Sequence, residues 1–185
     1  MARWSVVTYG KAVDRGTFVR AFVAGLEARG IKVGGFAQER KTDSAGGTTV
    51  ELVRLGRPDR LVLGGSTGKQ ADAGADAVCS YSFRPEGFAE ARRWLEADAA
   101  AARLLLVSEV SKLEAGGQGH HAALAWALAL SDKYTVVFVA RADQLSYLVE
   151  KLAPPGEPVG YLELPASADA TGAFVAELVA ASAQP

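Results

Sequence analysis

The residues best suited to chemistry lie near the N-terminus, where Trp4-Ser5-Val6-Val7-Thr8 runs through Tyr9-Gly10-Lys11-Ala12-Val13-Asp14-Arg15-Gly16-Thr17 into a helical pattern. Lys11 and Arg15 supply positive charge, and Gly10 and Gly16 permit tight backbone turns. The amides around Gly16, Thr17 and Phe18 open a helix, whose positive dipole end can hold an anion. A loop that cradles the phosphates of a nucleoside triphosphate ends in Gly-Lys-Ser/Thr, whereas this one ends in Arg15-Gly16-Thr17. Its two glycines are six residues apart where that pattern has five, and no lysine follows the second. The frame therefore suits an anion, while the lysine that would hold the β- and γ-phosphates is replaced. The plainer reading is that Thr17 is an N-cap or first-turn residue and that both glycines only shape the turn.

A second constellation is Leu104-Leu105-Leu106-Val107-Ser108-Glu109-Val110-Ser111-Lys112-Leu113-Glu114. Apolar residues followed by acid at a strand end resemble a Walker B segment, in which one carboxylate organises magnesium and the next polarises water. Ser108 stands in the magnesium-acid place, and Glu109 is left as candidate base or metal ligand, or as a solvated strand-end acid. Lys112 and Glu114 could pair on the surface, an interaction too weak to imply function. His120-His121 invites a metal reading, but adjacent helical side chains point about 100° apart and do not chelate from one face. They read as helix-start or interface residues. Gly116-Gly117-Gln118-Gly119 makes an adjustable loop beside Glu114 that lets backbone approach a ligand or a partner subunit. The single cysteine, Cys79, excludes an intrachain disulfide and a cysteine-clustered metal site, and reads as a small structural hydrophobe.

These residues need a scaffold, and the hydrophobic pattern supplies one. Val19, Phe22, Val23 and Leu26 recur at helical spacing after the first strand, and Gly30 ends that helix before a strand over Ile31 to Ala37. Lys41 to Gly47 is polar and glycine-rich, and the segments 48–53 and 59–63 around Gly56-Arg57-Pro58 read as a hairpin inserted into the α/β pattern. Gly64 to Gly74 reads as a flexible loop leading to a strand near Ala77 to Phe83. Pro85 starts a helix with Phe88, Ala91 and Leu95 on one face. Leu104 to Val107 is apolar on both faces, as a central parallel strand must be. A helix over Ala122 to Leu130, a strand over Thr135 to Ala140, a helical stripe of Leu145, Leu148, Val149 and Leu152, a strand near Val159 to Leu162 and a helix from about Ala170 complete the chain. The expectation is a three-layer α/β domain, mostly parallel, with an inserted antiparallel hairpin. In such a sheet ligands bind at the carboxyl ends of strands, just after Thr8, Ala37, Val107 and Ala140.

Composition bounds the function. At 185 residues, with 20 Lys plus Arg against 21 Asp plus Glu and no run of like charge, nothing favours nucleic acid or another polyanion as partner. No apolar stretch is long enough to span a membrane, and the N-terminus lacks the pattern of a signal peptide, so a cytoplasmic protein is expected.

The segments Gly30-Ile31-Lys32-Val33-Gly34-Gly35-Phe36 and Leu105 to Glu114, in this order, resemble the thermophilic nucleoside-triphosphatase family. Lys112-Leu113-Glu114-Ala115-Gly116-Gly117-Gln118-Gly119 is closer still to a family of P-loop-deficient relatives linked with molybdenum metabolism. The resemblance implies one P-loop NTPase-like domain over residues 1–185, with the first loop as phosphate site and Glu109 as catalytic acid. It puts Arg15 at the lysine position, Gly16 at the magnesium-binding hydroxyl, Ser108 at an aspartate and Ser111 at the glycine before Lys112. The expected activity is binding of a nucleotide or a small oxyanion such as phosphate or molybdate, through Gly10, Lys11, Arg15, Gly16, Thr17 and Lys112, with weak or no hydrolysis. The cofactor is then a nucleotide with magnesium, or an oxyanion. One alternative is an active nucleoside triphosphatase using Glu109. Another is a ligand-free interaction module, whose apolar helices and alanine-rich C-terminus suit a core or a homodimer seam equally.

Overall fold

A computed structural model describes residues 3–10, 13–66 and 81–183. Eight strands form one sheet: β1 (Trp4–Tyr9), β2 (Val33–Thr42), β3 (Thr48–Arg54), β4 (Arg60–Ser66), β5 (Ser82–Phe83), β6 (Leu104–Val110), β7 (Thr135–Arg141) and β8 (Gly160–Leu164). The helices are α1 (Arg15–Glu27), α2 (Pro85–Ala99), α3 (Lys112–Ala115), α4 (His121–Ala129), α5 (Leu145–Leu152) and α6 (Ala168–Ala183), with a 3-10 turn at Ala142–Gln144. Strand order across the sheet is β5-β4-β3-β2-β6-β7-β1-β8. From β2 to β8 through β6, β7 and β1 the pairing is parallel, and from β2 to β5 it is antiparallel.

The three layers follow from side-chain alternation in the central strands. Trp4, Val6, Leu105, Val107, Val136 and Phe138 point to one face and pack under α2, α4 and α5. Val7, Tyr9, Leu104, Leu106, Val137 and Val139 point to the other, under α1 and α6. The expected α1 stripe, Val19, Phe22, Val23 and Leu26, is the buried one. Helix α1 ends at Glu27, and Gly30 (φ +81°) sits in the turn beyond it, where the Ile31 amide donates back to the Leu26 carbonyl.

The antiparallel part is larger than a hairpin. β2 does not stop at Ala37: Gln38 to Thr42 continue it and pair with Leu52 to Thr48 of β3, so Lys41 and Thr42, the start of the polar segment expected after the strand, belong to its exposed end. A strand whose two faces both meet water has no apolar alternation to announce it. Only β5 is described of the strand expected near Ala77 to Phe83, since residues 67–80, Cys79 among them, lie outside the described residues.

Gly34 and Gly35 are demanded by packing. Gly35 has φ +103°, and a Cβ there would lie 2.1 Å from the Leu106 carbonyl oxygen. A Cβ on Gly34 would lie 2.6 Å from that of Asp98. This close approach lets the Asp98 carboxylate accept the Gly35 amide at 3.1 Å and pair with Arg54 at 2.6 Å, fixing α2 against β2.

Candidate functional site

A cleft of about 310 Å³ opens at the carboxyl ends of β1, β6 and β7, the side of a parallel sheet where ligands bind. Its lining includes Arg15, Arg40, Lys112 and Arg141, the carboxylates Glu109 and Glu114, and the rings of Tyr9, Tyr81, Phe83 and Phe88. Four cations against two acids make it locally positive in a chain whose formal net charge is −1. The charge balance of the whole chain conceals it.

Glu109 is at its centre. In the β6–β7 register Ser108 faces Val139 and Val110 faces Ala140, so Glu109 is an extra, bulged residue. Bulges re-aim side chains, and this one gives a carboxylate at the end of an otherwise apolar strand to the cleft. Glu109 is 5% exposed. One oxygen meets Arg15 at 2.8 Å and the other meets Arg40 at 3.0 Å. Each guanidinium also lies over a ring: Arg15 is 4.5 Å from the Tyr9 centroid and Arg40 5.5 Å from that of Tyr81. Burial, reinforced by the adjacent Glu109 carboxylate, pushes the ionisation of the Tyr9 hydroxyl far above the usual tyrosine range.

The start of α1 is arranged differently. Asp14 is the N-cap; its carboxylate accepts the Thr17 amide at 3.1 Å and the Thr17 hydroxyl at 2.7 Å. Those two hydrogen bonds hold the Asp14 carboxyl below its ordinary range. A carboxylate of the chain itself thus takes the helix-end position that suits a bound anion. Thr17 is a first-turn residue whose hydroxyl also accepts from Arg20 at 3.1 Å. Gly10 is exposed with open space around its Cα, and a Cβ on Gly16 would meet only ordinary contacts at 3.5 Å and beyond. Lys11 lies outside the described residues.

Glu114 has another set of partners. Its carboxylate accepts backbone amides from Ser111 and His120, each at 2.8 Å. A Cβ on Gly119, at φ +60°, would fall 2.3 Å from that carboxylate, which accounts for the last glycine of the Gly116 to Gly119 loop. Burial raises the Glu114 carboxyl above the usual range despite these amides. His120 is wholly buried between Phe36 and Phe88, with centroids at 4.5 and 4.8 Å, and its ring nitrogens are unpartnered. Burial lowers its imidazole to about 3. His121 instead places Nδ1 2.9 Å from the Glu114 carbonyl oxygen, so the adjacent histidines part company as their helical spacing requires.

The structure therefore brings Arg15, Glu109 and Lys112 to one cleft and leaves Gly16 beside it, in a neighbouring depression with Arg20, Glu39 and Lys41, while Thr17 lines neither. Lys112 and Glu114 share no ion pair, since Glu114 is turned to backbone amides. Sequence reasoning did not single out Arg40, Arg141 or Tyr81. Arg141 directly follows the apolar run of β7, a strand-end position that could have found it. Arg40 lies on the unforeseen extension of β2.

No helix among the described residues is long and apolar enough to cross a membrane. Two solved structures share the fold. THEP1 from the hyperthermophile Aquifex aeolicus is similar with a TM-score of 0.66 and 15% identity, over 98% of this chain and 99% of that one. A human cancer-related nucleoside triphosphatase is similar with a TM-score of 0.63 and 16% identity, over 100% of both chains. At such identity the likeness establishes the fold, a mixed α/β sheet of the P-loop NTPase kind, and nothing finer. No curated protein matches the sequence significantly. A family model does match, over residues 5–146, and the chain accordingly belongs to the family described as "Protein of unknown function (DUF2478)".

Proposed function

We propose that this protein binds a small anionic ligand, a nucleotide or an oxyanion of the phosphate or molybdate kind, and hydrolyses it weakly or not at all. The observation that carries this reading is the pair Arg15 and Arg40, held 2.8 and 3.0 Å from one buried carboxylate in a cleft that also receives Lys112 and Arg141. Guanidiniums spaced to share a carboxylate are spaced to share a phosphoryl group, whose oxygens offer the same fork of acceptors. The similar fold of two proteins whose names include triphosphatase or THEP1 supports a nucleotide as one form of that ligand.

Weak hydrolysis follows from how the acids are used. Glu109 serves as counter-ion to two guanidiniums, a role distinct from that of a general base. Magnesium, which the resemblance implies for an active triphosphatase, would be held by one or two side-chain oxygens together with the phosphates, and the positions the resemblance assigns to its hydroxyl and acid are Gly16 and Ser108, neither of which offers a carboxylate. Asp14 is engaged by Thr17 through both oxygens, and Ser108 is buried at the place of the magnesium acid. Thermal unfolding with ATP, GTP, phosphate, molybdate and tungstate, with and without magnesium, tests the reading, because a ligand that binds only the native state raises its apparent stability. At least one of them should stabilise the protein, and stabilisation by none refutes it. Phosphate release that survives purification and disappears in Glu109→Gln would establish hydrolysis instead.

A further inference from the structure

Resting on the anion-binding reading above, we propose that the cleft selects a flat ring joined to one compact anionic group, the chemistry of a nucleoside monophosphate, over both a bare oxyanion and a triphosphate. The ring requirement comes from the wall opposite the cations. Tyr81, which directly precedes β5, and Phe83 within it are parallel within 9° at 6.0 Å between centroids. Phe88 of α2 meets Phe83 at 5.9 Å, and all three rings line the cleft while only partly buried. A bare oxyanion gains nothing from such a surface. A planar ring stacks on it, a contact tolerant of which base is presented.

Arg40 joins the two ends, with its guanidinium between Glu109 and the Tyr81 ring. A ligand with its anion at Arg15 and Arg40 therefore has the aromatic wall within reach of its other end. Glu109 occupies the position between Arg15 and Arg40, so binding exchanges one shared carboxylate for one phosphoryl group.

The preference for a single compact anion comes from the start of α1. A triphosphate uses a helix N-terminus for its outer phosphates, but here Asp14 already takes the Thr17 amide and hydroxyl. Beyond it, the neighbouring depression carries Asp14 and Glu39, and the cations it adds to those of the cleft, Arg20 and Lys41, are already paired with Glu39 at 2.9 Å and with Glu51 at 2.8 Å. Additional phosphates would meet carboxylates and committed cations, gaining little.

Calorimetry on the full chain with AMP, GMP, ATP and inorganic phosphate tests the proposal without any variant. The tighter-binding monophosphate should exceed phosphate by about tenfold or more, and ATP should bind no tighter than that monophosphate. Phosphate binding as tightly as the tighter-binding monophosphate overturns the ring, and ATP binding more than about tenfold tighter overturns the compact anion; in both cases anion binding itself stands. If none of the four binds, and molybdate and tungstate also fail, the underlying reading falls with the proposal. Tyr81→Ala should lower the ratio of monophosphate to phosphate affinity at least about fivefold, with Tyr81→Phe restoring it. An unchanged ratio in a folded Tyr81→Ala protein contradicts the stacking role.

Discussion

Glu109 and Glu114 stand five residues apart, both buried and both lining the same cleft, and their partners separate them. Glu109 is held by two side-chain guanidiniums, from α1 and from β2. Glu114 is held by two backbone amides, from the residue that starts its own turn and from the one that starts α4. A side-chain partner can rotate to another anion, whereas a backbone amide of a packed turn cannot. On the proposed reading the first acid is exchangeable and belongs to the site, while the second is fixed by its own turn.

The largest effect expected from breaking this contrast is on Glu114. Glu114→Ala leaves the Ser111 and His120 amides without acceptors in a buried turn, at a cost of about 1–3 kcal/mol for each unmet donor. Denaturant unfolding should show a loss of at least about 2 kcal/mol, and a drop in midpoint temperature of roughly 4–8 °C. Glu109→Gln should cost less, about 1 kcal/mol, because Gln retains a hydrogen bond and Arg40, 41% exposed, regains water. Removing that negative charge should also tighten phosphate binding several-fold by titration, the opposite of a catalytic loss.

His120 sharpens the comparison through pH. Glu114 needs its backbone amide and not its ring, so His120→Leu should keep the folded state while removing a titrating group. Burial lowers this imidazole from 6.5 to about 3, so between those values the unfolded chain binds the extra proton. Its contribution is fully present above about pH 6.5 and is lost as pH falls toward 3. Stability measured across that window should decline less steeply in His120→Leu than in the parent. Smallest of all, Arg40→Gln should change stability by less than about 1 kcal/mol while weakening phosphate binding, since Arg40 is itself 41% exposed and Arg15 remains on the buried Glu109.

Much of the scaffold could be read from the chain because parallel strands and their helices are written in apolar periodicity. Leu104 to Val107 and the α1 stripe are such cases. The extension of β2 was hidden since Gln38 to Thr42 have water on both faces, and Arg40 was hidden with it. Glu109 and Arg15 were each visible as strand-end and helix-start residues, but their pairing across 94 positions depends on tertiary structure alone. Asp14 shows the same limit. It was one polar residue in a loop until its carboxylate was found on the helix end, a role that depends on a φ, ψ choice and not on spacing.

The central claim is that Glu109 holds the place of a ligand's anion between Arg15 and Arg40. Parallel calorimetric titrations of the parent and Glu109→Gln with inorganic phosphate test it most directly. Several-fold tighter binding in the variant is the predicted result; equal or weaker binding, or none to either protein, would contradict it.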